Sequence, residues 1–136
     1  MIDNLYLFRD KSVLITGHTG FKGSWLALWL TSLGAKVIGV SNEVPTKPSN
    51  FVANNLQKKI KHIKADIRDF KKIAKIFKLY KPDYIFHLAA QALVRPSYES
   101  PLETFRINAI GTATLLEVLR NYNKPIIAVI ITSDKV

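Results

Sequence analysis

Residues 13–30 read VLITGHTGFKGSWLALWL, and this stretch limits the fold more than any other part of the chain. A β-branched apolar run meets glycines at 17, 20 and 23, then an apolar pattern of helical length with no break between them. Ser12–Thr16 predicts a short strand covered on both faces, as strands of parallel sheets are. Phe21–Leu33 is apolar almost all round, with Leu26, Leu30 and Leu33 on one stripe and Trp25, Leu28 and Trp29 beside it. That pattern predicts a deeply buried helix, closed by Gly34 in a left-handed conformation. In a strand–turn–helix of this kind, the first glycine permits a tight turn and the next lets the backbone approach a pyrophosphate. The last lets helix and strand pack closely. Free N–H groups at the helix start then face the anion. The spacing is G-x-x-G-x-x-G. Lys22 precedes Gly23 and no G-K-[ST] ending follows, so the phosphate loop of an NTPase is the poorer fit.

Downstream, Lys36–Val40 predicts a second strand, and Ser41–Asn50, with Pro45 and Pro48, a loop. Ile60–Ala65 reads as a third strand. Phe70, Ile73, Ile76, Phe77 and Tyr80 keep the spacing of an amphipathic helix that stops before Pro82. Tyr84–Leu88 is a fourth strand running into Ala89-Ala90-Gln91. Ser100, Pro101 and Glu103 read as an N-cap, a proline at the first helical position and a capping-box partner, for a helix reaching about Arg120. Ile126–Thr132 is a fifth strand. Alternating strands and helices predict an α/β domain: a Rossmann-type, doubly wound parallel sheet of order 3-2-1-4-5. At 136 residues the chain suffices for one core.

The chemistry-bearing residues fall at the carboxyl ends of the expected strands, where open α/β sheets meet their ligands. Glu43 is the only acid near the second strand and stands where a ribose hydroxyl would be held; the other reading is an exposed loop glutamate. No arginine is nearby for a 2′-phosphate, only Lys47, which favours NAD over NADP. Asp66, His87 through Gln91, and Thr132 through Lys135 lie on the same rim.

Composition excludes several classes. No cysteine is present, so neither a disulfide framework nor a thiolate metal site can form, and no metal is expected. The apolar run Ile126–Ile131, exceeded by no other, is too short to span a bilayer, and MIDNLYLFRDK lacks the pattern of a secretory signal, so a soluble cytoplasmic protein is expected. The net charge of +10 comes largely from lysines 58, 59, 61, 64, 71, 72, 75, 78 and 81. They alternate with Ile60, Ile63, Ile73, Ile76 and Phe77 as solvated faces do, without the interleaved aromatics of a nucleic-acid platform.

The glycine spacing, Ala65-Asp66-Ile67-Arg68-Asp69, His87-Leu88-Ala89-Ala90-Gln91, Asn108-x-x-Gly111-Thr112 and Thr132-Ser133-Asp134-Lys135 together resemble the extended short-chain dehydrogenase/reductase family. Within it, GHTGFKGSWLALWL and ITSDK are most similar to the branch of CDP-glucose 4,6-dehydratases. The resemblance implies an NAD-dependent hydro-lyase of nucleotide-sugar and polysaccharide metabolism. Gly17, Gly20 and Gly23 would hold the pyrophosphate, with His18, Phe21 and Lys22 lining that loop. Glu43, Asp66, Ile67, Leu88, Ala89, Ala90, Asn108 and Thr132 would complete the cofactor site, Asp66 accepting from the adenine amino group and Asn108 acting as a structural tie. Gln91, Val94 and Arg95 would meet the nucleotide sugar. Ser133 would bind the C4 oxygen and Asp134 would protonate the leaving C6 hydroxyl. Lys135 would take the C5 proton, or else pair with Asp134 or a substrate phosphate.

The family's Tyr-x-x-x-Lys pair belongs after Lys135. The sequence is accordingly expected to be the NAD-binding front part of such an enzyme, silent alone, whose full-length form is a homo-oligomer without membrane or nucleic-acid partners. The alternatives are a UDP-N-acetylglucosamine-type dehydratase or an epimerase, a non-catalytic dinucleotide-binding module, and a basic nucleic-acid-binding domain that charge alone supports. The apolar fifth strand is expected to promote self-association.

Overall fold

The computed structural model describes residues 3–132, with side chains from residue 6 onward. A 3-10 turn, Asp3–Phe8, precedes β1 (Ser12–Thr16), α1 (Phe21–Ser32) and β2 (Lys36–Ser41). The crossover to β3 (Lys61–Lys64) carries two short helices, α2 (Asn50–Ala53) and α3 (Leu56–Lys59). There follow α4 (Phe70–Tyr80), β4 (Tyr84–His87), α5 (Val94–Glu99), α6 (Pro101–Phe105), a π-helical turn (Arg106–Ile110), α7 (Gly111–Arg120) and β5 (Ile127–Ile130). The five strands pair in parallel in the order β3-β2-β1-β4-β5, the order expected of a Rossmann-type sheet.

Successive residues of a strand face opposite sides, so each central strand feeds two cores. Val13 and Ile15 join Ala27, Leu30, Val37, Phe51, Leu56 and Tyr84 beneath α1, α2 and α3. Leu14 instead meets Ile38, Val40, Ala65, Ile73, Ile76, Phe77, Ile85, Leu115 and Val118 beneath α4 and α7. The lysines of α4 stay in solvent while Ile73, Ile76 and Phe77 are buried, as their spacing requires. Gly34 takes φ +83°, closing α1 as expected.

The loop expected over Ser41–Asn50 lies between β2 and α2, whose start is capped by the Ser49 hydroxyl accepting from the Val52 N–H. Two local expectations are corrected. The capping box at Ser100 does not form: Ser100 makes no side-chain cap, and the Glu103 carboxylate turns to Arg68 instead. A charged partner from another element outcompetes a local backbone N–H. The helix expected to reach Arg120 is interrupted at Arg106–Ile110, where Thr112 donates its hydroxyl to the Asn108 carbonyl at 2.6 Å.

Helix α1 is buried on one side only. Its sheet-facing residues Gly23, Ser24 and Ala27 are small and let it approach closely. Trp25 and Trp29 lie two positions either side of Ala27, hence on the opposite face, and remain 50% and 57% exposed. Continuous apolarity overstates burial here because, Leu30 apart, small residues occupy the buried face and leave the tryptophans outside.

The two sheet edges differ in kind. Exposed Lys61 and Lys64 guard β3, whereas β5 presents the exposed Ile127 and Val129. Charged side chains discourage strand addition and apolar ones invite it. Val129→Lys is expected to cost under about 1 kcal/mol, the site being already partly exposed, and to raise the monomer fraction in sedimentation.

Candidate functional site

The turn between β1 and α1 is built by exclusion of side chains. Gly17 has φ +76°, and a Cβ there would lie 2.7 Å from the Ala89 nitrogen and 2.8 Å from the Leu88 carbonyl carbon. A Cβ on Gly23 would overlap the Gly17 carbonyl oxygen and stand 2.8 Å from its carbon. Gly20 is different: the nearest atom to a Cβ there is the Gly17 oxygen at 3.4 Å, so this glycine keeps an approach open rather than relieving a clash. Gly17 donates to the Val40 carbonyl at 2.8 Å and Gly20 to the Gly17 carbonyl at 3.1 Å. The N-terminus of α1 carries no side-chain cap and no acid in its first turn. Its leading N–H groups have no intrahelical acceptor, the arrangement by which helix starts attract anions.

His18 belongs to this loop but spends its ring elsewhere. It is fully buried, with Nε2 2.7 Å from His62 Nδ1 on β3 and the Phe51 ring edge-on at 5.3 Å. Burial first, then the neighbouring His62, pulls its pKa down to about 4. What His18 can offer an anion is its backbone. Thr19 is tied to the end of β2, its hydroxyl 2.5 Å from the Glu43 carbonyl and 2.9 Å from Ser41 Oγ. Phe21, Lys22 and Glu43 project into solvent around the turn.

Asp66, after β3, is gripped by Arg68. The guanidinium donates from Nε at 3.0 Å and Nη2 at 2.6 Å, and the Arg68 backbone N–H adds a bond at 2.8 Å. These bonds hold the Asp66 carboxyl below its ordinary range and raise the Arg68 pKa. Arg68 also binds Glu103 of α6, so a fork of three charges spans two elements. Buried Ile67 packs where Gly111 has no side chain; a Cβ there would stand 2.6 Å from its Cδ1.

Beyond β4, the Leu88 N–H donates to the Thr16 carbonyl at 3.0 Å and the Ala89 N–H to Thr16 Oγ1 at 3.2 Å. His87, 3% exposed, has Nδ1 2.6 Å from Thr16 Oγ1 and Nε2 3.0 Å from Thr112 Oγ1. Burial lowers its pKa to about 4. Asn108, in the π-helical turn, acts as a strand edge toward Gln91: Oδ1 accepts the Gln91 N–H at 2.8 Å and Nδ2 donates to its carbonyl at 3.0 Å. An apolar hollow of about 250 Å³ beside it is lined by Ser97, Pro101, Thr104, Phe105, Asn108 and Ala109. A larger, open groove of about 830 Å³ lies at the opposite end of the sheet, around Ser12, Lys36 and Asp83, away from these residues.

The sequence-derived residues are therefore brought together in two groups. Gly20 and Gly23 pack on Gly17, which abuts Leu88 and Ala89, and Asn108 joins Gln91. Val94 and Arg95 stand out in solvent on α5, Arg95 paired with Glu99. Ala90 and Thr132 are exposed. Ser133, Asp134 and Lys135 lie outside the described residues. The sequence does not single out His62, Glu103, Thr16 and Thr112 as partners; the one available signal is Thr16, a polar residue ending an otherwise apolar strand.

A family model described as GDP-mannose 4,6 dehydratase matches residues 14–136. The CDP-glucose 4,6-dehydratase of Salmonella typhimurium is 47% identical over 135 residues, 99% of this chain and 37% of that protein. The GDP-mannose 4,6-dehydratase of Vibrio cholerae is 35% identical over 117 residues, 81% of this chain and 31% of that protein. Among solved structures, a UDP-glucose 4-epimerase from Stenotrophomonas maltophila with bound NAD and formylated UDP-arabinopyranose has a TM-score of 0.81 at 26% identity, covering 93% of this chain and 38% of its own. The NAD complex of the Thermus thermophilus UDP-glucose 4-epimerase has a TM-score of 0.72 at 33% identity, covering 82% and 34%. The chain thus spans about a third of the length of these relatives.

Proposed function

This chain belongs to the GDP-mannose 4,6 dehydratase family, and on that premise we propose that residues 1–136 are the NAD-binding part of a nucleotide-sugar 4,6-dehydratase acting on CDP-glucose. The observation that carries the reading is the cradle: two glycines whose side chains the backbone excludes, a third left open, and an uncapped helix start facing that opening. Its donors are all backbone N–H groups, which suits a pyrophosphate. The choice of CDP-glucose rests on the 47% identity to the Salmonella typhimurium enzyme over 135 residues.

In this reading Gly17, Gly20 and Gly23 hold the pyrophosphate, with the backbone of His18 and the first turn of α1. Asp66 and Ile67 flank the adenine, and Arg68 holds the Asp66 carboxylate ionised and fixed as an acceptor. Leu88 through Ala90 floor the site, and Gln91, Val94 and Arg95 face the substrate. When bound, NAD supplies a reversible hydride acceptor for the sugar's C4 position. Ser133 hydrogen-bonds the C4 oxygen, Asp134 carries the proton for the departing C6 hydroxyl, and Lys135, as a neutral amine, removes the C5 proton. Desolvation or a neighbouring cation is what would lower the lysine's pKa enough for that role.

Calorimetric titration of the chain with NAD and with NADP tests the cofactor assignment. NAD is expected to bind at least about tenfold more tightly, since only Lys47 is near enough in sequence to meet a 2′-phosphate. Equal affinity, or a preference for NADP, overturns it. An epimerase is the second reading, favoured by the fold shared with the two UDP-glucose 4-epimerases. Loss of one water from CDP-glucose, read by mass spectrometry on the protein that carries this chain, separates the two.

A further inference from the structure

His87 closes β4 with both ring nitrogens engaged. It meets Thr16 on β1, Thr112 on α7 and, in register, Ile130 on β5; none of these is charged or titratable. The proton positions follow from counting donors. A carbonyl can only accept, so the single hydroxyl proton of Thr112 goes to the Asn108 carbonyl at 2.6 Å. Thr112 Oγ1 must then accept from His87, which places the ring proton on Nε2. Nδ1 is left as a lone pair and receives the Thr16 hydroxyl proton at 2.6 Å, while Thr16 Oγ1 accepts the Ala89 N–H at 3.2 Å. With a neutral ring, this is the orientation that satisfies every group.

The ends of this relay reach the candidate site. One is the Ala89 N–H, against which Gly17 is packed; the other is Asn108, which grips both backbone groups of Gln91. The segment 88–91 is thus anchored at one end by Thr16 and at the other by Asn108, and His87 joins the two anchors. We infer that neutral His87, as its Nε2–H tautomer, is a positioning residue that sets the 88–91 segment against the glycine cradle and thereby governs cofactor affinity. The affinity clause rests on the NAD reading; the relay itself does not.

Two measurements on the 136-residue chain decide it. Nitrogen NMR of labelled histidine is expected to show His87 protonated on Nε2 and uncharged through pH 6.5, the ordinary imidazole midpoint. An Nδ1–H tautomer, or titration near 6.5, overturns the relay. Thr112→Val removes the acceptor for the ring proton, and His87→Phe removes both polar ends. Each is expected to weaken NAD binding about tenfold, while His87→Gln, which can donate and accept, recovers most of the loss. A folded Thr112→Val chain with unchanged affinity overturns the positioning role, and this holds even if His87→Phe does not fold. Absence of NAD binding by the unsubstituted chain overturns the cofactor reading and with it the affinity clause; the tautomer still decides the relay.

Discussion

A Gly23→Ala chain is expected to lose about 3 kcal/mol of stability and all measurable NAD binding, while Gly20→Ala keeps its stability and loses only affinity. The contrast comes from what each Cβ would meet. At position 23 it meets the Gly17 carbonyl group, with its carbon 2.8 Å away, and the His18 Cα at 2.9 Å. These are backbone atoms, and they move only if the turn opens or α1 shifts away from β1. At position 20 the nearest atom is 3.4 Å away, so the protein tolerates the methyl group, but the methyl fills the space an anion would enter. Chemical denaturation and calorimetry on the two variants separate packing from binding. Equal destabilisation of both would refute the assignment of Gly20 as the open position.

Acid is expected to remove several kcal/mol between pH 6.5 and 4, before most carboxylates titrate. Unfolded His18 and His87 take up protons near 6.5, whereas in the fold each resists charging until about pH 4. Between those values the unfolded state binds more protons, so stability falls as pH falls, by at most about 3 kcal/mol for each histidine. Below that window a second loss begins. Asp66, held by Arg68, and Asp83, held by Lys124 and by the Ser12 N–H, have carboxyls displaced downward and give up their contribution only on protonation. Urea melts at stepped pH should therefore fall in two stages, with the first stage about halved in His87→Gln. Flat stability from pH 6.5 to 4.5 would show that neither imidazole is held neutral by the fold.

What sequence revealed was local. The cradle was legible because its strand, turn and helix are contiguous and each glycine stands at a fixed offset from the others. Alternation indicated a parallel, doubly wound sheet, and the strand order came with the Rossmann-type reading of the glycine turn. The supporting contacts were illegible because their partners are distant: 44 residues separate His18 from His62 and 35 separate Arg68 from Glu103. Glu103 shows how such a contact misleads, since its spacing from Ser100 satisfies a capping rule that Arg68 overrides. The π-helical turn left no pattern at all, because one widened turn in a continuous helix barely disturbs hydrophobic spacing.

Gly39 lies mid-strand in β2, where the chain needs neither a turn nor a positive φ. A Cβ there would fall 2.7 Å from Nδ1 of the His18 ring, so the imidazole occupies the volume a side chain would have taken. The two positions consequently have to drift as a pair in evolution. A larger residue at 39 becomes viable only after the imidazole has been exchanged for something small, and that exchange by itself leaves a hole. Neither first step is neutral, so a lineage that acquired this histidine inside its glycine loop is held to it by a glycine 21 positions later in the sequence.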